Sequence, residues 1–382
     1  MTVSNGRNLA GFAALINDSG KVIAEAFSTD LAAATRPTVY DSVGDVPFDA
    51  PKGSQAYVAS EGLLLKLTDE AWYVLDGSEP EIPYLPGTDR GYISGGHNTS
   101  NIYKFPFAAS TSVSLVGTIV PSGTRNSPAS ASSKENGYLM GGAAVGVKQT
   151  EIRQFSFATD GDAVSRIGGL VAGTYRLAGA NSATHGYAAG GYDTSGLSSL
   201  IQKYSFTIDG ISTSVGNLLT AKDLPSGISS LEYGFAANGG INYGSPATGN
   251  MTYIDKWSFV SDGNATLQGF TNTAKYNTAG LFSTTDGYIV GGQWPSSIYH
   301  STVDKFPFAT EVNSTNIGNL TYVILGPTGS SSMTHGYVSG GYTQPAPGAT
   351  ARMSRFVWAS TVTDETVGAL AVAGWGQSGY QV

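Results

Sequence analysis

The sequence contains no cysteine, which excludes disulfide frameworks, thiolate metal sites and cysteine nucleophiles. Charged residues make up only 13% of the 382 residues, and the net charge of −8 gives no sign of a basic surface for nucleic acid. No run of about 18 apolar residues occurs, so we expect no membrane insertion. The N-terminus also lacks the pattern of charged, apolar and small residues that marks a secretion signal.

Sequence patterns for catalysis and metal binding are missing as well. The spacings HxH and HExxH do not occur, and no glycine-rich run opens a helix as a phosphate loop would. The Asp-Gly turns lack the series of acidic residues that a calcium loop needs. We therefore expect no catalytic residue, no metal and no cofactor, and we predict that the protein is not an enzyme.

Glycine is abundant, with 51 residues, and much of it belongs to one motif that recurs along the chain. The motif has the form Gly-Tyr-x-x-Gly-Gly, and a degenerate copy at 234–240 carries one extra residue. Successive copies begin 46, 49, 48, 53 and 49 residues apart, which is typical of a repeat architecture. The six copies lie at 91–96, 137–142, 186–191, 234–240, 287–292 and 336–341.

A second motif follows each copy and carries two aromatic residues two positions apart, which places both on one face of a strand. In three repeats an Asp-Gly turn comes next, and a Val-Gly or Ile-Gly element and a small-residue element complete most repeats. Four short strands in about 49 residues is the pattern of a β-propeller blade. The aromatic motifs lie at 102–107, 152–157, 201–206, 254–259, 303–308 and 353–358.

A Gly-Gly pair that closes an apolar strand, followed by an aromatic strand and a turn, resembles the kelch-type repeat. The resemblance covers residues 88–382, although aromatic doublets replace the regularly spaced Tyr and Trp of typical kelch repeats. It implies an all-β protein with a six-bladed kelch-like β-propeller. The first blade begins late, at Gly91, and the tail 372–382 resembles the missing small-residue strand. We therefore predict that the C-terminal strand completes the first blade and closes the propeller.

Residues 1–87 precede the repeats and form a different segment. Apolar and aromatic stretches at 55–59, 63–67 and 71–75 predict a small β-meander, and the prolines of 79–87 predict a stiff linker. The meander is too small to bury a core by itself. The segment is either a spacer that decorates the repeats or an anchor on a larger assembly, and we predict an N-terminal attachment segment.

The loops after the Gly-Gly pairs carry aromatic residues beside short polar groups, a combination that suits contact with a glycan or a protein. The alternative is that these loops pack against their own neighbours. His185 and His335 share one repeat position that other repeats fill with different polar residues, so we interpret it as a structural position. The candidate ligand- or receptor-binding residues are Tyr192, Asp193, Tyr243, Trp294, Tyr299, His300 and Tyr342.

The motif at 305–310, together with stretches at 41–47, 53–58 and 70–74, resembles virion structural proteins of tailed bacteriophages, in particular tail fibres and related appendages. This resemblance implies a protein made in the host cytoplasm and located in the virion. Its partners would be other virion proteins, through residues 1–87, and a host surface glycan or protein, through the propeller loops. We also expect a homo-oligomer in the particle, because several copies raise avidity.

Three alternatives stay open. The first is a kelch-type intracellular scaffold for protein interactions, and the second is a capsid or tail decoration protein without a receptor role. The third is a propeller enzyme that acts on a glycan, which would need converging carboxylates or a basic–tyrosine pair.

Overall fold

The computed structural model describes residues 38–47, 50, 54–59, 63–67, 72–74, 87–97, 99–107, 113–119, 124–240, 252–294, 298–344, 348–358 and 361–382. This part of the chain is all-β, as predicted; its one helical element is the short 3-10 helix Val43–Asp45. No helix in it is long and apolar enough to cross a bilayer. The chain divides into two compact units, Met1–Ile82 and Pro83–Val382.

The first unit contains a four-stranded sheet with Trp72 at its core. Three of its strands match the predicted meander to within a residue at each end, and a further strand pairs with them in parallel. The Trp72 indole N–H donates to the carbonyl of Pro47 at 3.0 Å. Residues 75–86, which include most of the predicted linker, lie outside the described residues. The strands in sheet order are Thr38–Tyr40, Gln55–Val58, Leu63–Leu67 and Trp72–Val74.

In the second unit each Gly-Tyr copy lies in the second strand of an antiparallel four-stranded arrangement. We number the repeats by these copies and call the four strands inner, second, third and outer. Repeat 1 comprises Ser378–Gln381, Arg90–Ser94, Asn101–Pro106 and Ser114–Thr118; repeat 2 comprises Ala129–Ser132, Asn136–Met140, Ile152–Ser156 and Val164–Ser165; repeat 3 comprises Ala178–Asn181, His185–Ala189, Leu200–Ser205 and Thr213–Asn217.

Repeats 4 to 6 follow the same order of strands. Repeat 4 comprises Ser226–Ser229, Tyr233–Ala237, Tyr253–Ser258 and Thr266–Phe270; repeat 5 comprises Ala279–Phe282, Asp286–Val290, His300–Pro307 and Thr315–Leu325; repeat 6 comprises Thr328–Ser331, His335–Ser339, Arg352–Val357 and Glu365–Ala369. Short strands at the ends of the sheets are Ala143–Ala144, Val147–Lys148, Gly168–Gly169, Thr174–Tyr175, Tyr192–Asp193, Gly196–Leu197, Gly210–Ile211, Tyr342–Thr343 and Gly348–Ala349.

The C-terminal strand supplies the inner strand of repeat 1, as the phase of the repeats predicts. Ser378–Gln381 pairs antiparallel with Arg90–Ser94, and Tyr380 lies opposite Tyr92. Tyr380 is fully buried, and its hydroxyl group lies 2.7 Å from Oγ of Ser94. The two ends of the repeat region therefore share one sheet.

An aromatic contact joins each repeat to the next. The Tyr92 ring of repeat 1 lies 5.5 Å from Phe155 and 4.8 Å from Phe157 of repeat 2. Tyr337 of repeat 6 contacts Phe105 and Phe107 of repeat 1 at 5.5 and 4.9 Å, so the last repeat meets the first as the others meet their successors. The equivalent residues of repeats 2 to 5 are Tyr138, Tyr187, Phe235 and Tyr288.

The inner strands surround a common axis and contact one another in the cyclic order of the repeats. Their second residue is glycine in five repeats, because the backbone of the preceding inner strand leaves no room for a side chain. A Cβ atom on Gly227 would lie 2.0 Å from the carbonyl oxygen of Gly179. Repeat 2 has Ser130 at this position.

At the Gly-Gly end of the sheets, one residue of each repeat adopts a left-handed backbone. It lies two positions before the first residue of the inner strand. Each N–H donates to the carbonyl of the equivalent residue in the preceding repeat, at 2.7 to 3.4 Å, and the sixth bond runs from Ser127 to Gly376. A positive φ at every position allows the N–H and C=O groups to point along the ring. The axial ring consists of Ser127, Arg176, Leu224, Asn277, Gly326 and Gly376.

Deletion of Trp375–Val382 is expected to lower the melting temperature by roughly 10 °C or more. The deletion removes the buried Tyr380 ring, worth about 3–5 kcal/mol by itself, and one link of the axial ring. Circular dichroism melts would measure the effect. Val372→Ala, at a position that is 41% exposed in the same tail, serves as the control. An unchanged melt of the deletion would contradict the structural role of this strand.

A second prediction concerns the left-handed backbone of Gly376, whose φ is 62°. Gly376→Val should destabilise the protein by about 1–2 kcal/mol or more, because a β-branched side chain strains this conformation. Gly376→Asn should cost less, since Asn277 occupies the equivalent position with φ 57°. Urea unfolding of both variants gives the comparison, and equal losses would argue against the backbone explanation.

Candidate functional site

The predicted site residues lie where strands end near the Gly-Gly pairs, the same end of the sheets as the axial ring. The structure distributes them over repeats 3, 5 and 6. Tyr243 lies outside the described residues. Tyr192 and Asp193 form a short strand after Gly190-Gly191, and Tyr342 begins another after Gly340-Gly341.

Tyr192 belongs to a group of rings and cations that we call the Lys148 cluster: Lys148, Tyr175, Arg176 and Tyr192. The strand Tyr192–Asp193 pairs antiparallel with Thr174–Tyr175, which brings the two tyrosine rings to 6.1 Å in an edge-to-face arrangement. Nζ of Lys148 lies 4.4 Å from the centre of the Tyr192 ring, and Cζ of Arg176 lies 4.5 Å from that of Tyr175. Both are cation–π distances.

A hydrogen bond and an ion pair hold the two cations of the Lys148 cluster in place. Lys148 donates to the main-chain carbonyl of Asp193. Arg176 donates from Nη1 to Oδ2 of Asp223 at 3.0 Å, and Asp223 is only 2% exposed. The side chains of the cluster are half-buried, so they present ring edges and cations that are already oriented.

Trp294, Tyr299 and His300 belong to repeat 5, where His300 begins the third strand. The main-chain N–H of Trp294 donates to the carbonyl of Ile298 at 3.1 Å. Nε2 of His300 lies 2.7 Å from the carbonyl oxygen of Trp294, and because a carbonyl can only accept, the imidazole N–H donates. The imidazole therefore contacts the main chain of its own repeat, which fits the alternative that these loops pack against their own neighbours. A binding role for these three residues stays a prediction.

Tyr342 belongs to a second group, the Trp375 cluster, formed by His97, Tyr342 and Trp375. Trp375 stacks on His97 with ring centres 4.8 Å apart and 26° between the planes, and Tyr342 meets it edge-on at 6.5 Å. His97 is exposed and the other two side chains are half-buried. The cluster joins repeat 6, the C-terminal segment and repeat 1 in one aromatic surface.

The sequence predictions did not include His97, Trp375, Tyr175, Lys148 or Arg176. One signal was available: the position three residues before the inner strand is aromatic in repeats 3, 5 and 1, with Tyr175, Tyr276 and Trp375. Aligning the repeats at the inner strand, rather than at the Gly-Gly pair, would have identified it. His97 has no such signal, because its contact with Trp375 depends on how the two ends of the repeat region meet.

His185 and His335 occupy equivalent structural positions, as the sequence predicts. In each, Nδ1 lies 2.8 Å from the hydroxyl of the preceding threonine, Thr184 or Thr334. Partial burial, together with the charge of Lys203 or Arg355, lowers the pKa of each imidazole. The neutral form is favoured in both repeats, which suits a repeated hydrogen-bonding position.

Two buried ion pairs are further candidates for catalytic groups. Nζ of Lys222 lies 2.7 Å from Oδ2 of Asp255, and Nζ of Lys275 lies 2.8 Å from Oδ2 of Asp304. Burial lowers the pKa of both lysines and raises the pKa of Asp255. Shifts of this kind often mark catalytic groups.

The repeat symmetry argues for a structural interpretation of these pairs. Each lysine lies four residues before an inner strand, and each aspartate is the residue after the Ile or Val of the aromatic motif. Repeat 3 has Thr174 and Gln202 at these positions, and repeat 6 has Ile324 and Ser354. The same internal slot is thus filled by a charged, a polar or a largely apolar pair.

The Asp-Gly turns also form contacts between repeats. Asp160 is paired with Lys104 of the preceding repeat, and Asp262 with Lys203 at 3.0 Å. Both aspartates have a positive φ, as tight turns require. Among the residues that the structure describes, no group of three or more His, Asp or Glu side chains is placed to hold a metal ion.

No protein-family model and no curated protein matches this chain. Among solved structures, that of YjhT is similar with a TM-score of 0.59, over 74% of this chain and 99% of that chain, at 12% sequence identity. At this identity the similarity shows the fold alone. The fold is all-β and propeller-like.

The structural interpretation of the buried pairs predicts a specific pattern of stabilities. Lys275→Ile should cost about 3–5 kcal/mol, because it leaves Asp304 buried without its cation. The double variant Lys275→Ile/Asp304→Ser, which copies the slot of repeat 6, should cost less than half of that. Urea unfolding would measure both. A double variant that loses as much stability as Lys275→Ile alone would contradict this interpretation.

Proposed function

We propose that the protein is a virion structural protein of a tailed bacteriophage, a tail fibre or appendage that attaches through residues 1–87. Its repeat region is a six-bladed, kelch-like β-propeller closed by the C-terminal strand. The equivalent aromatic contacts of all six repeats, the axial ring and the pairing of Ser378–Gln381 support this architecture. The sequence motifs that resemble phage appendage proteins support the virion assignment.

The propeller binds a host surface glycan or protein at its Gly-Gly face. The observation that carries this role is the Trp375 cluster, where a half-buried indole and an exposed imidazole are stacked beside Tyr342. Stacked rings offer a broad apolar face with polar edges, as sugar rings and amphipathic protein surfaces require. The Lys148 cluster adds cations to the same face. The mechanism is binding without catalysis, and several copies in the particle increase avidity.

A second candidate is a decoration protein that contacts only neighbouring virion subunits. It is favoured by three isoleucines near the tight turn of repeat 3, at the opposite end of the sheet from Gly190-Gly191. Ile167, Ile208 and Ile211 are 77%, 74% and 73% exposed, and Gly168–Gly169 pairs with Gly210–Ile211 beside them. Exposed aliphatic groups of this size are typical of contacts between proteins.

Adsorption to cells distinguishes the two roles. Fluorescently labelled full-length protein would be mixed with cells from a panel of bacterial species, and the bound fraction measured. Trp375→Ala should reduce adsorption to the susceptible species about tenfold or more, because stacking on an aromatic ring contributes on the order of 1–2 kcal/mol. Ile208→Ala, at the opposite face, is the matched control and should adsorb normally.

The same variants would be tested on phage particles that lack this protein. If wild-type protein binds only the particles, and Ile208→Ala weakens that binding, the decoration role replaces the receptor role. If Trp375→Ala adsorbs to cells as well as wild type does, the Trp375 cluster is not the binding surface.

A further inference from the structure

A short hairpin follows the Gly-Gly pair of repeat 2, and we call it the Val145 hairpin. It consists of the antiparallel strands Ala143–Ala144 and Val147–Lys148, joined by the two-residue turn Val145-Gly146. Val145 is 93% exposed, more than any other large apolar side chain that the structure describes, and Val147 is 62% exposed. The Val145 side chain therefore contributes almost nothing to the packing of its repeat.

The turn of this hairpin requires a backbone that valine adopts poorly. The φ angle is 49° at Val145 and 77° at Gly146, and two positive values in a two-residue loop are typical of a type I′ turn. Asn-Gly and Asp-Gly are the favoured pairs for this turn, because a β-branched side chain is strained at a positive φ. Val145 thus weakens the hairpin in which it lies.

Comparison with the other left-handed residues gives no structural reason for this valine. The described residues include eight non-glycine positions with a positive φ. Four of them belong to the axial ring, and three are Asp160, Asn238 and Asp262, whose side chain type tolerates this conformation. Val145 is the one β-branched residue among the eight. A local rule broken without a structural gain is typical of a functional surface.

The Val145 hairpin is continuous with both aromatic clusters of the Gly-Gly face. At its start, Ala143 exchanges two main-chain hydrogen bonds of 3.0 Å with Asn126. Asn126 precedes the axial-ring residue whose N–H donates, at 3.1 Å, to the residue after Trp375. At its end, Nζ of Lys148 lies 4.4 Å from the centre of the Tyr192 ring. The two valines therefore extend the surface to which we assign binding.

We propose that the Val145 hairpin inserts its two valines into an apolar pocket of a host surface protein. This inference rests on the proposed receptor role and selects a protein over a glycan as the receptor. A branched aliphatic side chain offers neither a flat ring on which a sugar stacks nor a polar edge for its hydroxyl groups. Two valines also bury too little apolar surface to hold a protein on a bilayer, where even one myristoyl chain binds only marginally. A protein interface has an apolar centre, which the valines supply.

Val145→Asn tests the strain and the contact together, because it should improve the turn and weaken binding. Asn suits the left-handed backbone, so hydrogen exchange of the hairpin amides should slow about threefold or more. Adsorption of the full-length protein to the susceptible species should fall about tenfold, because a buried apolar contact is lost. Val260→Asn is the matched control: Val260 is 87% exposed at the tight turn of repeat 4, and neither property should change.

Treatment of the cells identifies the class of partner. Digestion of surface proteins with a protease should remove adsorption of the wild-type protein, whereas periodate oxidation of surface glycans should leave it. Loss of adsorption after periodate alone would show a glycan receptor. Binding to protein-free vesicles of phosphatidylethanolamine and phosphatidylglycerol, weakened by Val145→Asn, would show a membrane partner. Either of these two results would overturn the proposal.

The variants distinguish failure of this inference from failure of the receptor role. If Val145→Asn adsorbs as well as wild type while Trp375→Ala adsorbs less, the hairpin contact is rejected and the receptor role stands. Wild-type protein that adsorbs to no cells would overturn both. Hydrogen exchange that does not slow in Val145→Asn would also count against the inference, because the valine would then not strain its turn.

Discussion

The axial ring of main-chain hydrogen bonds is the constraint on which the arrangement of the repeats depends. It links six residues that are about 50 positions apart in sequence, and its last bond joins Ser127 to Gly376. A ring of this kind fixes the distance between neighbouring inner strands, and the close approach then favours glycine at their second position, which five of the six strands have. The contacts are almost all remote in sequence, so the entropy of chain closure is lost before they form. The C-terminal residues therefore belong to the sheet of repeat 1 and not to the sheet of repeat 6.

The repeats share one backbone arrangement but differ in their side chains. Comparing equivalent positions therefore helps to distinguish structural groups from functional ones. The internal slot holds Lys275 and Asp304 in one repeat and Ile324 and Ser354 in another. Because the fold tolerates such different pairs, a shifted pKa in this slot says little about function. The Trp375 cluster differs, since its rings lie at the surface. This exposure is the reason we propose binding there.

The side chains of the proposed binding surface are held by contacts within the protein. At the Gly-Gly face, rings and cations are half-buried and oriented by neighbours, so a ligand meets a preorganised surface.

The sequence by itself determined the all-β class, the four strands of each repeat and the C-terminal strand of the first sheet. These features follow from local rules: alternation of side chains along a strand, and glycine where φ is positive. The sequence also indicated the loops that carry Tyr192 and Tyr342. Only the tertiary structure decided that Trp375 meets Tyr342 and stacks on His97. Those contacts join segments up to 278 residues apart, and their geometry depends on how the repeats curve around the axis, which no local pattern encodes.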